Sequence, residues 1–358
     1  MGRRELLGRL LWSVMLLAGL AAGALAGGPV AAAPATQAAT GDLAYVRDGN
    51  IWVRTLATGK EHAVTTDGLS SHPAWEPNGQ WLAYVSFASS KGVIYLVNAD
   101  GSRRQPFPTG QADATLPTYS RFGELHWVSR HDQQLDLMYA GTDGPELITT
   151  VPGGLCSPTD LSVGPDNDLL LSLSCGRGKN VLHLRPRFNT EEIDVAEKYL
   201  TSGLGCAYGA TWAPTGSRIA ALSSQNCDAS TQGSLSIIDV PPVGRPGPSI
   251  LTGKDIGWVS WSPDEKTLAV TQYPAGFDHG TIVALDVTSG ATRPLVPIGN
   301  EPAWRPIVTN DGPELPPTPG TPPGMPTTGA PGTGWLLALL LAAACLGLGT
   351  GLRRARAR

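Results

Sequence analysis

Charge is scarce in this chain, and so are the residue patterns that usually carry chemistry. Asp, Glu, Lys and Arg together make up 16% of the 358 residues. Seven of the 26 basic residues, but only Glu5 of the 30 acids, lie in the terminal stretches 1–40 and 329–358. The middle therefore carries roughly ten net negative charges. It has no basic stripe interleaved with aromatics, so nucleic acid and anionic surfaces are excluded as partners, because such binding needs clustered Lys and Arg. Also missing are a Gly-x-Ser-x-Gly elbow, a phosphate-cradling glycine loop and a His-Glu-x-x-His pair. The six histidines, at 62, 72, 126, 131, 183 and 279, have no ligand spacing, and no two cysteines stand two to four residues apart as a zinc site requires. Asp166-Asn167-Asp168 alternates like a calcium loop, but it occupies a turn where Asn and Asp are expected anyway. No metal or other cofactor is expected.

The ends carry what the middle lacks. Met1-Gly-Arg-Arg-Glu-Leu-Leu-Gly-Arg precedes an apolar run from Leu10 to about Ala26, the order of a secretory signal peptide within residues 1–35. Small residues place cleavage after Ala26 or after Ala35. At the other end, Trp335–Leu352 is almost wholly apolar, about 27 Å of helix, enough to cross a hydrocarbon core. The tail 353–358 holds Arg353, Arg354, Arg356 and Arg358, which keeps it cytoplasmic and the body outside. Residues 309–334 are mostly Pro, Gly and Thr and read as an extended stalk. Within it, Met325-Pro326-Thr327-Thr328-Gly329 before an apolar span and a basic tail resembles a sortase sorting signal, with Met in the place of the usual Leu. The resemblance implies cleavage between Thr328 and Gly329 by a sortase. The alternative is a plain transmembrane anchor.

Between the ends the chain repeats. Ala74-Trp75-Glu-Pro77-Asn-Gly79-Gln-Trp-Leu82-Ala-Tyr84 matches Thr211-Trp212-Ala-Pro214-Thr-Gly216-Ser-Arg-Ile219-Ala-Ala221 and Ser260-Trp261-Ser-Pro263-Asp-Glu-Lys-Thr-Leu268-Ala-Val270. Shorter copies start at Tyr119 and Val163. Each copy is a strand, a tight turn and a second strand whose alternate residues face a neighbour. Third strands follow at Ile94–Val97, Leu137–Tyr139, Val181–Leu184, Leu235–Ile238 and Thr281–Leu285, with turns such as Asn98-Ala-Asp100-Gly101 leading to a fourth. The spacing, roughly 43 to 49 residues, is that of a propeller blade. These residues resemble the TolB-type (WD40-like) propeller repeat over nearly all of residues 41–306. The body, 41–308, opens at Leu43-Ala44-Tyr45, a second strand lacking a first, and closes at Pro302-Ala303-Trp304, a first strand lacking a second. Joining them predicts an all-β fold, a six-bladed β-propeller of four-stranded blades latched by its own termini, which removes exposed sheet edges.

Outside the span, which holds Cys345, an exported chain has Cys156, Cys175, Cys206 and Cys227 available for disulfides. Cys156 and Cys206 precede first strands, while Cys175 and Cys227 follow second strands. Hairpin register therefore pairs Cys156 with Cys175 and Cys206 with Cys227.

Ligands of propellers gather where first strands begin and second strands end. Three residues before each repeat aromatic, or its equivalent, stand His72, Leu116, Asp160, Gly209, Trp258 and Glu301. The long loops at that end are Ser223–Gly233 and Gln272–Gly280, the second holding Tyr273, Phe277, Asp278 and His279. The TolB resemblance implies a docking platform: a binding or scaffold module at the cell surface for a protein or envelope polymer, with no reaction of its own. The alternative is an extracytoplasmic hydrolase or lyase using Asp160 and Glu301 with His72.

Overall fold

The computed structural model describes residues 41–306, apart from 111–112, 153, 155, 165–166, 176–177, 189–192, 200–205, 225–231, 241–246, 255 and 274–278. The signal peptide, stalk, sorting signal, membrane span and arginine tail expected from the sequence lie outside the described residues, as do Asp166, Cys227, Phe277 and Asp278. No helix occurs among the described residues, so none there is long and apolar enough to cross a membrane.

Twenty-four strands among the described residues make six four-stranded antiparallel sheets. The first contains β1 (Asp42–Arg47), β2 (Asn50–Thr55) and β3 (Glu61–Ala63). The second runs through β4 (Ser70–Trp75), β5 (Trp81–Ser86), β6 (Val93–Asn98) and β7 (Gln105–Pro106). The third runs through β8 (Ala114–Tyr119), β9 (Leu125–His131), β10 (Gln134–Gly141) and β11 (Gly144–Pro152). The fourth runs through β12 (Cys156–Val163), β13 (Leu169–Cys175), β14 (Gly178–Phe188) and β15 (Ile193–Tyr199). The fifth is β16 (Cys206–Trp212), β17 (Arg218–Ser224), β18 (Gln232–Asp239) and β19 (Ser249–Lys254). The sixth is β20 (Ile256–Trp261), β21 (Thr267–Gln272), β22 (Thr281–Asp286) and β23 (Thr292–Val296). The missing strand of the first sheet is β24 (Asn300–Trp304), which pairs antiparallel with β1, Leu43 opposite Trp304 and Ala44 opposite Ala303. In each later sheet the first strand is innermost. These innermost strands neighbour one another in chain order, and β24 stands between β20 and β4. The architecture is an all-β propeller of small sheets.

The repeat residues explain this stacking. Leu82 and Tyr84 of β5 are fully buried with Trp75 against Ala44, Val46, Ile51 and Val53 of the preceding sheet. Their alternating neighbours Ala83 and Val85 are buried against Trp127 and Leu125 of the following one. A strand with both faces covered reads as a continuous apolar run, as β5 and β13 do. The aromatic that ends an innermost strand reaches back across the seam. Trp75 Nε1 donates to the Ala303 carbonyl at 3.1 Å and Trp261 Nε1 to the Thr211 carbonyl at 3.2 Å. The serine one position before the last residue of an innermost strand adds a second tie: Ser162 Oγ accepts the Trp212 backbone N–H at 3.0 Å, and Ser260 Oγ accepts that of Trp304 at 2.9 Å. One hydrogen bond of this kind is worth about 1 kcal/mol, so burial of the rings is the larger contribution.

Turn chemistry follows the repeat as well. Gly79 and Gly216 have φ of 66° and 75°, a backbone that suits glycine. The third copy places Glu265 there at φ 56°. A carboxylate in that position bridges two sheets: Glu265 Oε1 accepts the Thr215 N–H at 2.6 Å, and Oε2 pairs with Arg218 at 3.3 Å.

Cys156 and Cys175 are directly opposite in the β12–β13 register and form a disulfide 19 residues apart in sequence. Cys206 is also disulfide-bonded, and it stands opposite Ser224 at the end of β17, three residues before Cys227. Closing a loop of this length stabilises by about 3 kcal/mol. Replacing Cys156 and Cys175 together by Ser is therefore expected to lower stability by about 3 kcal/mol in denaturant titration. A loss below about 0.5 kcal/mol would mean the hairpin register alone holds this sheet.

Candidate functional site

One cavity runs along the axis, with a volume of about 210 Å³, and residues from all six innermost strands line it. Its walls are built by an irregularity that every innermost strand shares. In β4 the register jumps from Ser71 opposite Val85 to Ala74 opposite Ala83, so His72-Pro73 together face Tyr84. In β8, Leu116-Pro117 face Trp127, and in β24, Glu301-Pro302 face Tyr45. The aromatic partner is fully buried in all three. Proline has no N–H to give the ladder, so an X-Pro pair fits a bulge, where two residues oppose one. The leading residue takes positive φ each time: 52° at His72, 53° at Leu116 and 49° at Glu301. For non-glycine residues this is strained backbone, which persists only where surrounding packing enforces it. The other three strands bulge by one residue, at Thr159, Tyr208 and Trp258.

Bulges re-aim side chains. At this mouth they gather Trp258, Glu301 and His72 from three successive blades. Glu301 Oε2 accepts the His72 backbone N–H at 2.6 Å. The His72 ring meets the Trp258 ring edge-on, with centroids 5.4 Å apart, and its Nδ1 lies 2.8 Å from the Ser71 hydroxyl. Tyr273, just past β21, shares a side-chain hydrogen bond with Trp258, and its ring lies over Gly257, where an added Cβ would come within 3.0 Å. Burial, with the Glu301 charge adding to it, raises the Tyr273 hydroxyl above its ordinary value. Asp160, from the fourth sheet, completes the mouth. Protein atoms surround its carboxyl although part of the residue remains accessible from the cavity. That desolvation, reinforced by Glu301, pushes it up to about 7 against the opposing Leu161 backbone hydrogen bond.

Of the residues expected from sequence, His72, Leu116, Asp160, Trp258 and Glu301 all line the cavity. Tyr273 sits behind Trp258. Gly209, which has no side chain to project into the opening, is paired with Leu222 in the ladder and does not line the cavity; the bulge in β16 falls one residue earlier, at Tyr208. The same offset makes Thr159 the bulged residue of β12 while Asp160 stays paired with Ser172. Counting three back from the repeat aromatic overlooks Thr159 and Tyr208. Tyr208 extends to the Ile256 carbonyl at 2.9 Å and ties its sheet to the next. His279 is exposed and does not line the cavity. Asp278 lies outside the described residues. Among the described residues no group of three or more His, Cys, Asp or Glu could hold a metal ion.

No protein-family model matches the chain. The chain is similar to the Tol-Pal system protein TolB of Pseudomonas syringae pv. syringae, 33% identical over 70 residues, which is 20% of this chain and 16% of that protein. It is also similar to that of Polaromonas sp., 46% identical over 57 residues, 15% of this chain and 13% of that one. The matched part thus spans between about an eighth and a sixth of the length of these relatives. Among solved structures, TolB from Acinetobacter baumannii superposes with a TM-score of 0.60 at 17% identity, covering 75% of this chain and 67% of that one. A putative TolB from Agrobacterium tumefaciens gives 0.55 at 19% identity, covering 70% and 90%. The shared feature is the fold, a TolB-like β-propeller.

The Asp160 shift has a definite sign. A carboxyl raised from 3.8 to about 7 makes the folded state bind more protons than the unfolded one between those values. Stability therefore falls as pH rises through that window. Asp160→Asn is expected to flatten this decline and to be more stable than the parent at pH 8 by about 2 kcal/mol, part of the full shift being lost to cavity water. Parallel stability–pH curves for the two proteins would contradict the assignment.

Proposed function

We propose that this chain is an extracytoplasmic binding module that uses the propeller mouth to dock a protein or cell-envelope polymer. The observation that carries the reading is the convergence of the strained X-Pro bulges at His72, Leu116 and Glu301 on one axial cavity, which Trp258 and Asp160 also line. Strain held in place by packing around an opening is what a binding site uses to keep side chains pre-aimed. The similarity to TolB supports a role in protein interaction at the envelope. In this reading the six sheets form a closed six-bladed ring. A signal peptide exports it, and the stalk 309–334 and span 335–352 tether it to the surface. The Met325–Gly329 segment serves as the sortase-type signal that transfers it to the wall.

A second reading draws on Asp160. A carboxyl near 7 opposite a second carboxylate is suited to hold and release a proton, as a hydrolase or lyase would need. Turnover of envelope glycans or peptides that disappears in Asp160→Asn would favour it.

The binding reading is tested by cross-linking the full-length protein in its own envelope. Trp258→Ala with Glu301→Ala is expected to abolish the cross-linked partner, while Leu147→Ser, on the exposed outer strand β11, leaves it intact. Unchanged cross-linking in the mouth variant, with its melting temperature preserved, would place the partner elsewhere.

A further inference from the structure

The charges around the mouth are one-sided. Asp160 and Glu301 line the cavity, and no Lys or Arg does so. His72 is the one residue of basic type in the lining, and its Nδ1 is engaged with Ser71. Glu301 spends one oxygen on the His72 N–H, and its Oε1 accepts no hydrogen bond from the described residues. The Trp258 indole lines the same opening, with the Tyr273 phenol hydrogen-bonded behind it. Two carboxyl groups beside an indole, with no lysine or arginine in the lining, form an environment in which a cation is held by charge and hydrogen bonding, with the aromatic ring beside it.

An apolar rim adjoins the acidic opening. Leu69, just before β4, is 46% exposed; Phe87, just after β5, is 39% exposed; and Ile298, just before β24, is 44% exposed. All three sit at the ends of strands that open on the mouth. Leu69 and Phe87 are joined by the Phe87 N–H to Leu69 carbonyl bond at 2.8 Å. The other large exposed apolar residues, Phe122 and Leu147, lie in the β8–β9 turn at the opposite end and on the outer strand β11. The mouth face thus pairs an acidic hole with exposed apolar residues at strand ends of the sheets that supply Glu301 and His72: Leu69 and Phe87 beside β4 and β5, and Ile298 just before β24.

We infer that the mouth receives the side-chain ammonium of a lysine in an extended peptide segment of the partner, with an apolar neighbour of that lysine resting on Leu69, Phe87 and Ile298. This rests on the docking function proposed above and names its chemistry. An aliphatic amine at the end of a four-carbon stem has the reach to enter an axial hole while its backbone stays on the rim. Its three donors match the free Glu301 Oε1 and the Asp160 carboxyl.

Calorimetric titration of the full-length protein with the peptide Ac-Gly-Leu-Lys-Leu-Gly-NH2 tests this. Saturable one-to-one binding is expected. Acetylating the lysine Nε is expected to weaken it at least tenfold. Replacing both leucines by serine should weaken it several-fold. Glu301→Gln keeps an acceptor for the His72 N–H and removes only charge, and it too should cost at least tenfold. Equal affinity for the lysine and acetyl-lysine peptides would overturn the ammonium assignment while leaving the mouth as a docking site. Binding that survives Trp258→Ala with Glu301→Ala would place the peptide away from the mouth and overturn the inference, and no detectable binding of any of these peptides would overturn the lysine assignment. Cross-linking lost in the Trp258/Glu301 variant but retained in Glu301→Gln would separate failure of the cation chemistry from failure of the docking reading.

Discussion

Pairing of β24 with β1 is the constraint on which the rest depends. It joins Trp304 to Leu43 and Ala303 to Ala44, and Arg305 donates its N–H to the Asp42 carbonyl at 2.9 Å just beyond. Bringing these two ends together costs about 5 kcal/mol in loop-closure entropy. The return is large. The first sheet gains its innermost strand, Trp75 gains the Ala303 carbonyl, and Ser260 gains the Trp304 N–H. Gly299 is packed so closely against Tyr45 and Ile282 that a Cβ there would come within 2.7 Å of the tyrosine ring, so the join is tightly packed. Sheets that cannot cover both faces alone become mutually dependent once the ring is shut.

The same strand supplies Glu301, so the closure that stabilises the fold also completes the mouth. Glu301 arrives from the far end of the chain to accept the His72 N–H, 229 residues away in sequence. Bulging at His72-Pro73, Leu116-Pro117 and Glu301-Pro302 opposite Tyr84, Trp127 and Tyr45 puts rigid, buried aromatics directly behind the strained residues. Packing of this kind keeps an unfavourable φ in place without help from a ligand.

Much of the architecture was legible in the sequence because its cause is local and repeated. Trp75, Trp212 and Trp261, each with a turn and an alternating strand, specify inner hairpins, and the unmatched Leu43–Tyr45 and Pro302–Trp304 pieces name each other as partners. Cys156 and Cys175 could be paired because hairpin register is set by the turn between β12 and β13. The mouth was legible to within one residue. Where X-Pro makes the bulge, or where Trp258 does, counting back from the aromatic finds the bulged residue. In β12 and β16 a lone Thr159 or Tyr208 bulges instead, and neither carries a local signal like a proline. The raised Asp160 was not legible either, since it arises from desolvation and from Glu301, a residue brought near only by ring closure. The exposed apolar residues Leu69 and Phe87, joined across two separate loops, were equally not legible as a pair.

Native-state hydrogen exchange at β1 and β24 tests the closure most directly. If the ring is latched as described, the Leu43, Ala44 and Ala303 amides exchange only through global unfolding, with the same free energy and denaturant dependence as Leu82 and Ala83 in β5. Exchange of β24 amides through a low-energy local opening, with β5 still protected, would show that the terminal strands fray as an ordinary sheet edge and would contradict the account.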